Sequence, residues 1–446
     1  MVGYLRTLRV YGEMTTLHMG SHTWVLLNSN RVASDIIAKR AKVTNERPYM
    51  PIAGGLVSNN KRAVIRQAAE WGEGRRVMHH LLSGSALKLY GEWQELESVQ
   101  LLLSYLKEPE KWYAHHFRYS TAIFYRIVMG ERLFKTQEQL DNYQQVTMEF
   151  LFSLFRSPID FFPILDKLPT TLQFWRKPWA EMGRFHRRIF QEWWNPIRAA
   201  VDNGTAAASF VRDVLLHPDV KFVGDDEEAM YLATSVMAAG GDNTRMTLNT
   251  FVMSTLCYPM AYEQARAEIE NICGVGDTAR LPGMQDMASM PFVCAVVKEI
   301  LRWRPTVPLI PPHQLTEEIE YEGYNFPVGT NFLINTIAVC SECEAPDEFR
   351  PERWLDGNET NVVHDFWGFG GGRRICVGYK VVQQALFVAI ARLIYCYEIT
   401  PTGPFNSTKL NHWSLTEPFP VKVSIRSPEH EKLIIAEAAR NGVIQL

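Results

Sequence analysis

The sequence predicts a mainly α-helical protein with a minor β part, and three observations carry that expectation. Helical patterning dominates the stretch from Arg62 to Cys273. Alternation of apolar and polar residues with turn signals is confined to 14–27 and to stretches after Pro305. No internal repeat, low-complexity tract or Pro/Ser-rich linker divides the 446 residues, so 1–446 reads as a single domain.

The elements follow in order. MTTLHMGSHTWVLL (14–27) is rich in Thr, Val and Leu and is broken by Gly20-Ser21, which predicts two strands joined by a tight turn. RVASDIIAKR (31–40) takes up a helical pattern, and NERPYMPIAGG, with two prolines and two glycines, reads as a loop running toward Asn60. The helical region is interrupted at SPIDFFP and KLPTT. Its longest helix opens at GDDEEAMYLATSVMAAGGDNT, where Asp225 and Asp226 suit the positive end of a helix dipole. The middle of that helix is apolar on nearly all faces, as expected of a helix through the centre of a large domain. Two adjacent glycines there cost roughly 1 kcal/mol each relative to alanine, so something should approach the backbone closely. After Pro305, IEYEGYNFPVGTNFLIN predicts short strands. Residues 350–361 read as loop, VGYKVVQQALFVAIARLIYCYEI as an apolar helix, and LTEPFPVKVSIR as a final strand.

Hydrophobic residues make up 46% and charged residues 21%, enough for a sizeable core. Lys+Arg at 46 against Asp+Glu at 49 gives a net charge of -3, without the basic excess of a nucleic-acid binder. The seven cysteines are scattered. Cys340 and Cys343 have CxxC spacing, but no second CxxC or HxxxH completes a zinc site, and no βαβ pattern surrounds them as in a thioredoxin-like pair. Reduced thiols in a cytosol-facing protein are therefore expected. No window approaches the roughly 18–20 consecutive apolar residues of a membrane span, and MVGYLRTLRVYG lacks the continuous apolar region of a signal peptide.

GFGGGRRICVG (368–378) concentrates five glycines, two arginines and a cysteine. Cys376 sits on a flexible loop feeding a helix that should begin near Val377. Free N–H groups, the dipole and Arg374 would lower its pKa, and Gly372 and Gly378 would let backbone amides reach the sulfur. Two functional readings stand open, a cysteine nucleophile and a thiolate metal ligand. The nucleophile needs a histidine base among the 12 present, without any papain-like or caspase-like signature nearby. A phosphate-binding loop is excluded by the missing Gly-Lys-Ser/Thr ending. The plain structural alternative is a buried cysteine on a glycine-rich turn.

Phe369-Gly370-x-Gly372-x-Arg374-x-Cys376-x-Gly378 resembles the haem-binding signature of cytochromes P450 at every fixed position. The resemblance implies the cytochrome P450 fold, with haem b between the long central helix and the cysteine-loop helix. It implies Cys376 as the axial thiolate on the iron, a ligand that favours O–O cleavage, and Arg374 as partner of a propionate. Upstream, Glu299-Ile-Leu-Arg302 supplies the family's ExxR on one helical face, and Pro351-Glu-Arg353-Trp resembles its PERF segment. A structural Glu299–Arg302–Arg353 network is implied. Trp71-x-x-x-Arg75 resembles the propionate-binding WxxxR, and His313 resembles a residue near the propionates. Ala239-Gly-Gly-Asp-Asn-Thr244 resembles the oxygen-activation motif. There the glycines would leave room for dioxygen and substrate, and Asp242 would help relay protons. Asn243 departs from the usual threonine, although an amide still donates and accepts hydrogen bonds, and Thr244 offers a hydroxyl one position on. Val377 replaces a common proline, and Cys340-Ser-Glu342 stands where many members carry His-x-Asp.

The resemblance implies a haem-thiolate monooxygenase that inserts one oxygen atom from O2 into a small apolar or aromatic substrate, in the style of fungal secondary metabolism. Electrons would come from NADPH through cytochrome P450 reductase, docked near Arg373, Lys380 and Arg75-Arg76. Asn243 motivates an alternative, a haem-thiolate isomerase, dehydratase or ring-coupling enzyme. A third reading is a non-catalytic haem sensor or scaffold. The substrate pocket is expected near Met50–Val64, Val236–Gly241, Val307–Pro311 and Trp413–Thr416. The protein is expected to be a monomer without nucleic-acid partners. Microsomal relatives imply the cytosolic face of the endoplasmic reticulum. This chain starts where their membrane helix and hinge would end, which suggests a truncation or a soluble variant.

Overall fold

The computed structural model describes residues 5, 7–20, 22–82, 84–132, 136–154, 156–407 and 419–444. The β part forms where alternation occurs in the sequence. Strands β1 (Met14–Met19) and β2 (His22–Leu27) pair antiparallel, from Met14 opposite Leu27 to Met19 opposite His22. Further along the chain come β3 (His313–Gln314), β4 (Ile319–Tyr321), β5 (Tyr324–Phe326) and β6 (Asn331–Ile334). β6 runs parallel to the buried side of β2 and antiparallel to β3, giving a sheet of order β1-β2-β6-β3. β4 and β5 form one hairpin, and β7 (Tyr397–Pro401) and β8 (Val421–Ile425) pair as another two-stranded sheet.

The helical part comprises α1 (Ala68–Met78), α2 (Gly84–Lys107), α3 (Trp112–Met129), α4 (Gln137–Ser153), α5 (Arg176–Asp202), α6 (Asp226–Cys257), α7 (Pro259–Cys273), α8 (Pro291–Trp303), α9 (Tyr379–Cys396) and α10 (Pro428–Arg440). α6 starts where its acidic cluster predicts. The Asp225 carboxylate accepts from the Glu228 N–H at 2.7 Å and Glu228 accepts from the Asp225 N–H at 3.0 Å, a reciprocal cap that satisfies two orphan donors. α6 is buried along most of its length and packs lengthwise against α3.

Four expectations change. α9 begins at Tyr379 rather than near Val377; by length and mean composition it is apolar enough to cross a membrane, although Lys380, Gln383, Gln384 and Arg392 break its apolar run. In the fold it is a core helix, with 83% of it buried. The Pro51–Leu56 stretch of the presumed loop winds into a helical turn, because Asp160 caps it by accepting from the Ile52 N–H at 2.7 Å and the Ala53 N–H at 3.2 Å. Pro158–Phe161, inside the supposed interruption, is itself a short helical turn. α10 follows the last strand, its Ser427 cap and Pro428 opening a helix that the strand-like reading of the C-terminal end passed over.

Candidate active site

The cysteine loop is a tight backbone structure. The Gly370 N–H donates to the Trp367 carbonyl at 2.8 Å and the Cys376 N–H to the Phe369 carbonyl at 2.9 Å. Phe369 packs edge-on against Phe366. Gly370 and Gly372 lie at φ +72° and +57°, a region that side chains avoid. A Cβ on Gly372 would overlap the Ile37 carbonyl, so this glycine admits the 34–38 turn and not, as expected, the sulfur. Gly378 does serve the sulfur, through its backbone N–H.

Cys376 is half-buried. Burial pushes its thiol above the ordinary value, and the Gly378 N–H and the Arg75 charge only partly offset this. The expectation of a lowered pKa is thus corrected for the protein alone. Arg374, expected to act on the sulfur, directs its Nε to the Asn45 carbonyl at 2.9 Å.

Around this loop lies a shell of buried polar nitrogens. The Arg374 guanidinium sits 5.1 Å from the Trp71 ring. Its Nη1 and Nη2, the Trp71 Nε1 and the His313 Nε2 are all buried and meet no hydrogen-bond partner among the described residues. His313 uses its other nitrogen on the Thr44 carbonyl at 2.8 Å, next to the Asn45 carbonyl that holds Arg374. Arg75 donates to the Ile375 carbonyl and so ties α1 to the cysteine loop. Arg47, which the sequence reading passed over, is buried and donates to the Val64 carbonyl at 3.0 Å, the Pro311 carbonyl at 2.7 Å and the Pro312 carbonyl. Burial and the neighbouring Arg374 lower Arg47 to about 9. Burial lowers Arg374 to about 10, and burial with Arg47 lowers His313 to about 3.

Each buried donor without an acceptor costs roughly 1–3 kcal/mol, and more when it is charged. Three of these nitrogens, Arg374 Nη1 and Nη2 and Trp71 Nε1, are donors as they stand, and beside mutually repelling cations they fit an anionic group with several acceptor oxygens; His313, whose Nδ1 proton goes to the Thr44 carbonyl, would join them at Nε2 only once an adjacent carboxylate makes it an imidazolium. A haem bears two carboxylates, so the residues present fit its propionate edge, with Cys376 offering the one soft ligand beside them.

The long helix provides the other wall. α6 keeps accessible surface near its middle at Val236, Ala239 and Asn243, spaced i, i+3 and i+7, whereas Gly240, Gly241, Asp242 and Thr244 are buried. Two connections join this strip to the cysteine loop. In α1, a Cβ on Gly74 would touch Leu232 of α6 at 3.4 Å, and Trp71 lies against Arg374. In the 304–310 segment, Thr306 bonds Asn243 and Ile310 lies 3.6 Å from the Cβ position of Gly370.

The double glycine is corrected here. A Cβ on Gly240 would overlap the Phe124 ring of α3, and one on Gly241 would overlap the Tyr143 hydroxyl of α4. These glycines admit neighbouring helices and do not open space for dioxygen. Asp242 faces inward too, holding Arg245 at 2.7 and 3.0 Å. Thr244 is fully buried and its hydroxyl has no partner among the described residues. Asn243 alone of the three faces the open strip. Its Nδ2 donates to the Ala239 carbonyl at 3.0 Å and its Oδ1 accepts from the Thr306 hydroxyl at 3.3 Å. No motif pointed to Thr306. Its only signal is its place in the proline-braced RPTVP segment.

The ion network assembles as expected. Arg302 donates to both Glu299 oxygens at 2.8 Å, Arg353 adds a bond at 3.2 Å, and the Trp354 indole and the Arg350 N–H supply two more donors. Arg302 also binds the carbonyls of Cys340, Pro346 and Glu348, so the CxxC segment closes over this network. The seven cysteines are free. The Trp413–Thr416 pocket segment lies outside the described residues.

A family model described as Cytochrome P450 matches residues 5–424. The chain is 30% identical over 411 residues to Cytochrome P450 monooxygenase 58 of Postia placenta, covering 88% of this chain and 77% of that one. It is 28% identical to Cytochrome P450 monooxygenase fogE of Aspergillus ruber, covering 96% and 83%. Among solved structures it resembles a zebra fish cytochrome P450 with abiraterone, at a TM-score of 0.75 and 20% identity, over 96% of this chain and all of that one. A zebra fish cytochrome P450 structure with progesterone gives a TM-score of 0.77. Fold, signature loop and relatives converge: the chain belongs to the cytochrome P450 family of haem-thiolate oxidoreductases and is a monooxygenase of that family.

Proposed function

We propose that Cys376 ligates the iron of a haem b whose propionates are held by Arg374, Trp71 and His313, and that the enzyme inserts one atom of O2 into a small apolar or aromatic substrate. The observation that carries this reading is the set of three buried, unpartnered N–H donors on Arg374 and Trp71 beside the signature cysteine, with His313 Nε2 next to them and free to take a proton. When bound, the haem supplies iron-centred activation of O2, with electron donation from the thiolate. The chain's own residues do the rest. The Gly378 N–H and Arg75 stabilise the sulfur as an anion, and Arg374 neutralises a carboxylate. Glu299, Arg302 and Arg353 fix the backbone around the 340–354 segment, and Val236 and Ala239 would present apolar surface of α6 to the substrate. Fungal relatives named as monooxygenases support a role in secondary metabolism.

The test is the absorption spectrum of the reduced protein under carbon monoxide. The expected result is the Soret band of a thiolate–CO complex, lost in Cys376→Ala. A Cys376→Ala protein that kept this band would overturn the assignment. Asn243 in place of the usual threonine supports a second reading, an isomerase or dehydratase, which predicts turnover with neither O2 nor NADPH.

We further propose that a reductase docks on the exposed Arg373 and Lys380. Arg75 and Arg76 leave the docking set, since Arg75 is spent on Ile375 and Arg76 on Glu73 and the Val220 carbonyl. Between α4 and α5, Phe162, Ile164, Leu168, Leu172 and Phe174 are exposed, with Phe174 at 88%. Five exposed apolar side chains within thirteen residues, although Asp166 and Lys167 lie among them, support contact with a membrane surface, which vesicle flotation tests.

A further inference from the structure

The 304–310 segment crosses from the long helix to the cysteine loop and is fixed at its far end. The Ile310 N–H donates to the Ile334 carbonyl at 3.1 Å, and the Pro308 carbonyl accepts from the Thr336 N–H at 3.1 Å. Pro305 and Pro308 stiffen it further by fixing φ. Thr306 is therefore held on a rigid strap.

Its orientation follows from Asn243. The Ala239 carbonyl can only accept, so the Asn243 amide must turn its NH2 there, at 3.0 Å. The amide oxygen is then left facing Thr306 and can only accept, so the Thr306 hydroxyl must be the donor, at 3.3 Å. With its proton committed to Asn243, Thr306 Oγ keeps its lone pairs for another donor, at the edge of the α6 strip on which Asn243 and Ala239 retain accessible surface. Thr244 cannot do this, because helical phase turns it about 100° away from Asn243 and into the core.

We propose that Thr306, aimed by Asn243, is the hydroxyl this enzyme presents to the distal side of the haem, and that it anchors a water there as a hydrogen-bond acceptor. This rests on the haem-thiolate reading. Asn243 is a positioning residue in this arrangement, and the function of the family's missing threonine has moved to a different chain segment.

The test compares Thr306→Val, Thr306→Ser, Asn243→Thr and the Asn243→Thr/Thr306→Val pair, each purified with haem. The readouts are the resting ferric spectrum and the peroxide released per NADPH consumed. Thr306→Val keeps the shape of threonine and removes only the hydroxyl. It should move the equilibrium between the water-ligated low-spin form and the high-spin form by about fivefold, the effect of one ordinary hydrogen bond. Peroxide release should rise with it. Thr306→Ser should match the unaltered protein, and Asn243→Thr should restore the low-spin form in the double variant. Retention of the thiolate–CO band in Thr306→Val separates these effects from misfolding. If that band is present and Thr306→Val leaves the ferric equilibrium unchanged, the proposal is overturned. If the unaltered protein shows no thiolate–CO band, the haem-thiolate reading falls and takes this proposal with it.

Discussion

The cysteine loop and the middle of the long helix both carry glycine-rich motifs, yet they use glycine for different purposes. In the loop, Gly370 and Gly372 occupy left-handed backbone, and Gly372 also admits a carbonyl from the 34–38 turn. In the helix, Gly240 and Gly241 have ordinary helical geometry and vacate space for Phe124 and Tyr143. A loop motif is written in the backbone, so each letter keeps its meaning wherever the loop folds. A helical motif is read through phase and neighbours, and the same letters can serve the packing of adjacent helices instead of the cavity.

Three substitutions sharpen or break this contrast. The largest effect is expected for Asp242→Ala. It removes the carboxylate from beside Arg245 in a pair only 3–6% exposed, and breaking a buried pair costs about 3–5 kcal/mol. Chemical denaturation should show that loss. An unchanged denaturation midpoint combined with a rise in peroxide release would instead place Asp242 in proton delivery. Gly372→Ala comes next. It combines about 1–2 kcal/mol for left-handed backbone with overlap against an immovable carbonyl, and it should lower haem retention on gel filtration along with stability. Gly240→Ala is the smallest. Overlap with Phe124 costs about 1–3 kcal/mol, partly offset by about 1 kcal/mol of helix propensity. Stability should fall slightly with the ratio of product to NADPH unchanged. A changed ratio at full stability would return that glycine to the oxygen side.

What was legible in the sequence divides along the same line. The strand pair 14–27, the Asp225–Glu228 cap, the Glu299–Arg302–Arg353 network and the cysteine loop rest on local chemistry at fixed spacing, and each is where the residues place it. The Pro51–Leu56 turn was not legible, because its capping carboxylate, Asp160, comes from a distant segment. Arg47 and Thr306 were silent for a similar reason: their partners are carbonyls and an amide far along the chain, and no periodicity records such contacts. α10 is legible from Ser427-Pro428 and the acidic first turn that follows, a start signal that lies just beyond the strand-like VKVSIR.

Arg47 has a consequence for how the enzyme comes apart. One side chain joins three chain segments, the 44–47 loop that holds His313 and Arg374, the backbone at Val64, and the prolines before β3. Detaching any of these strands a buried guanidinium without its acceptors. These three segments are therefore one cooperative unit, which on the proposed function would hold the propionate edge of the haem. In hydrogen exchange the amides of Ile65 and Leu315 should open together, and that shared event should also set the rate at which the cofactor escapes.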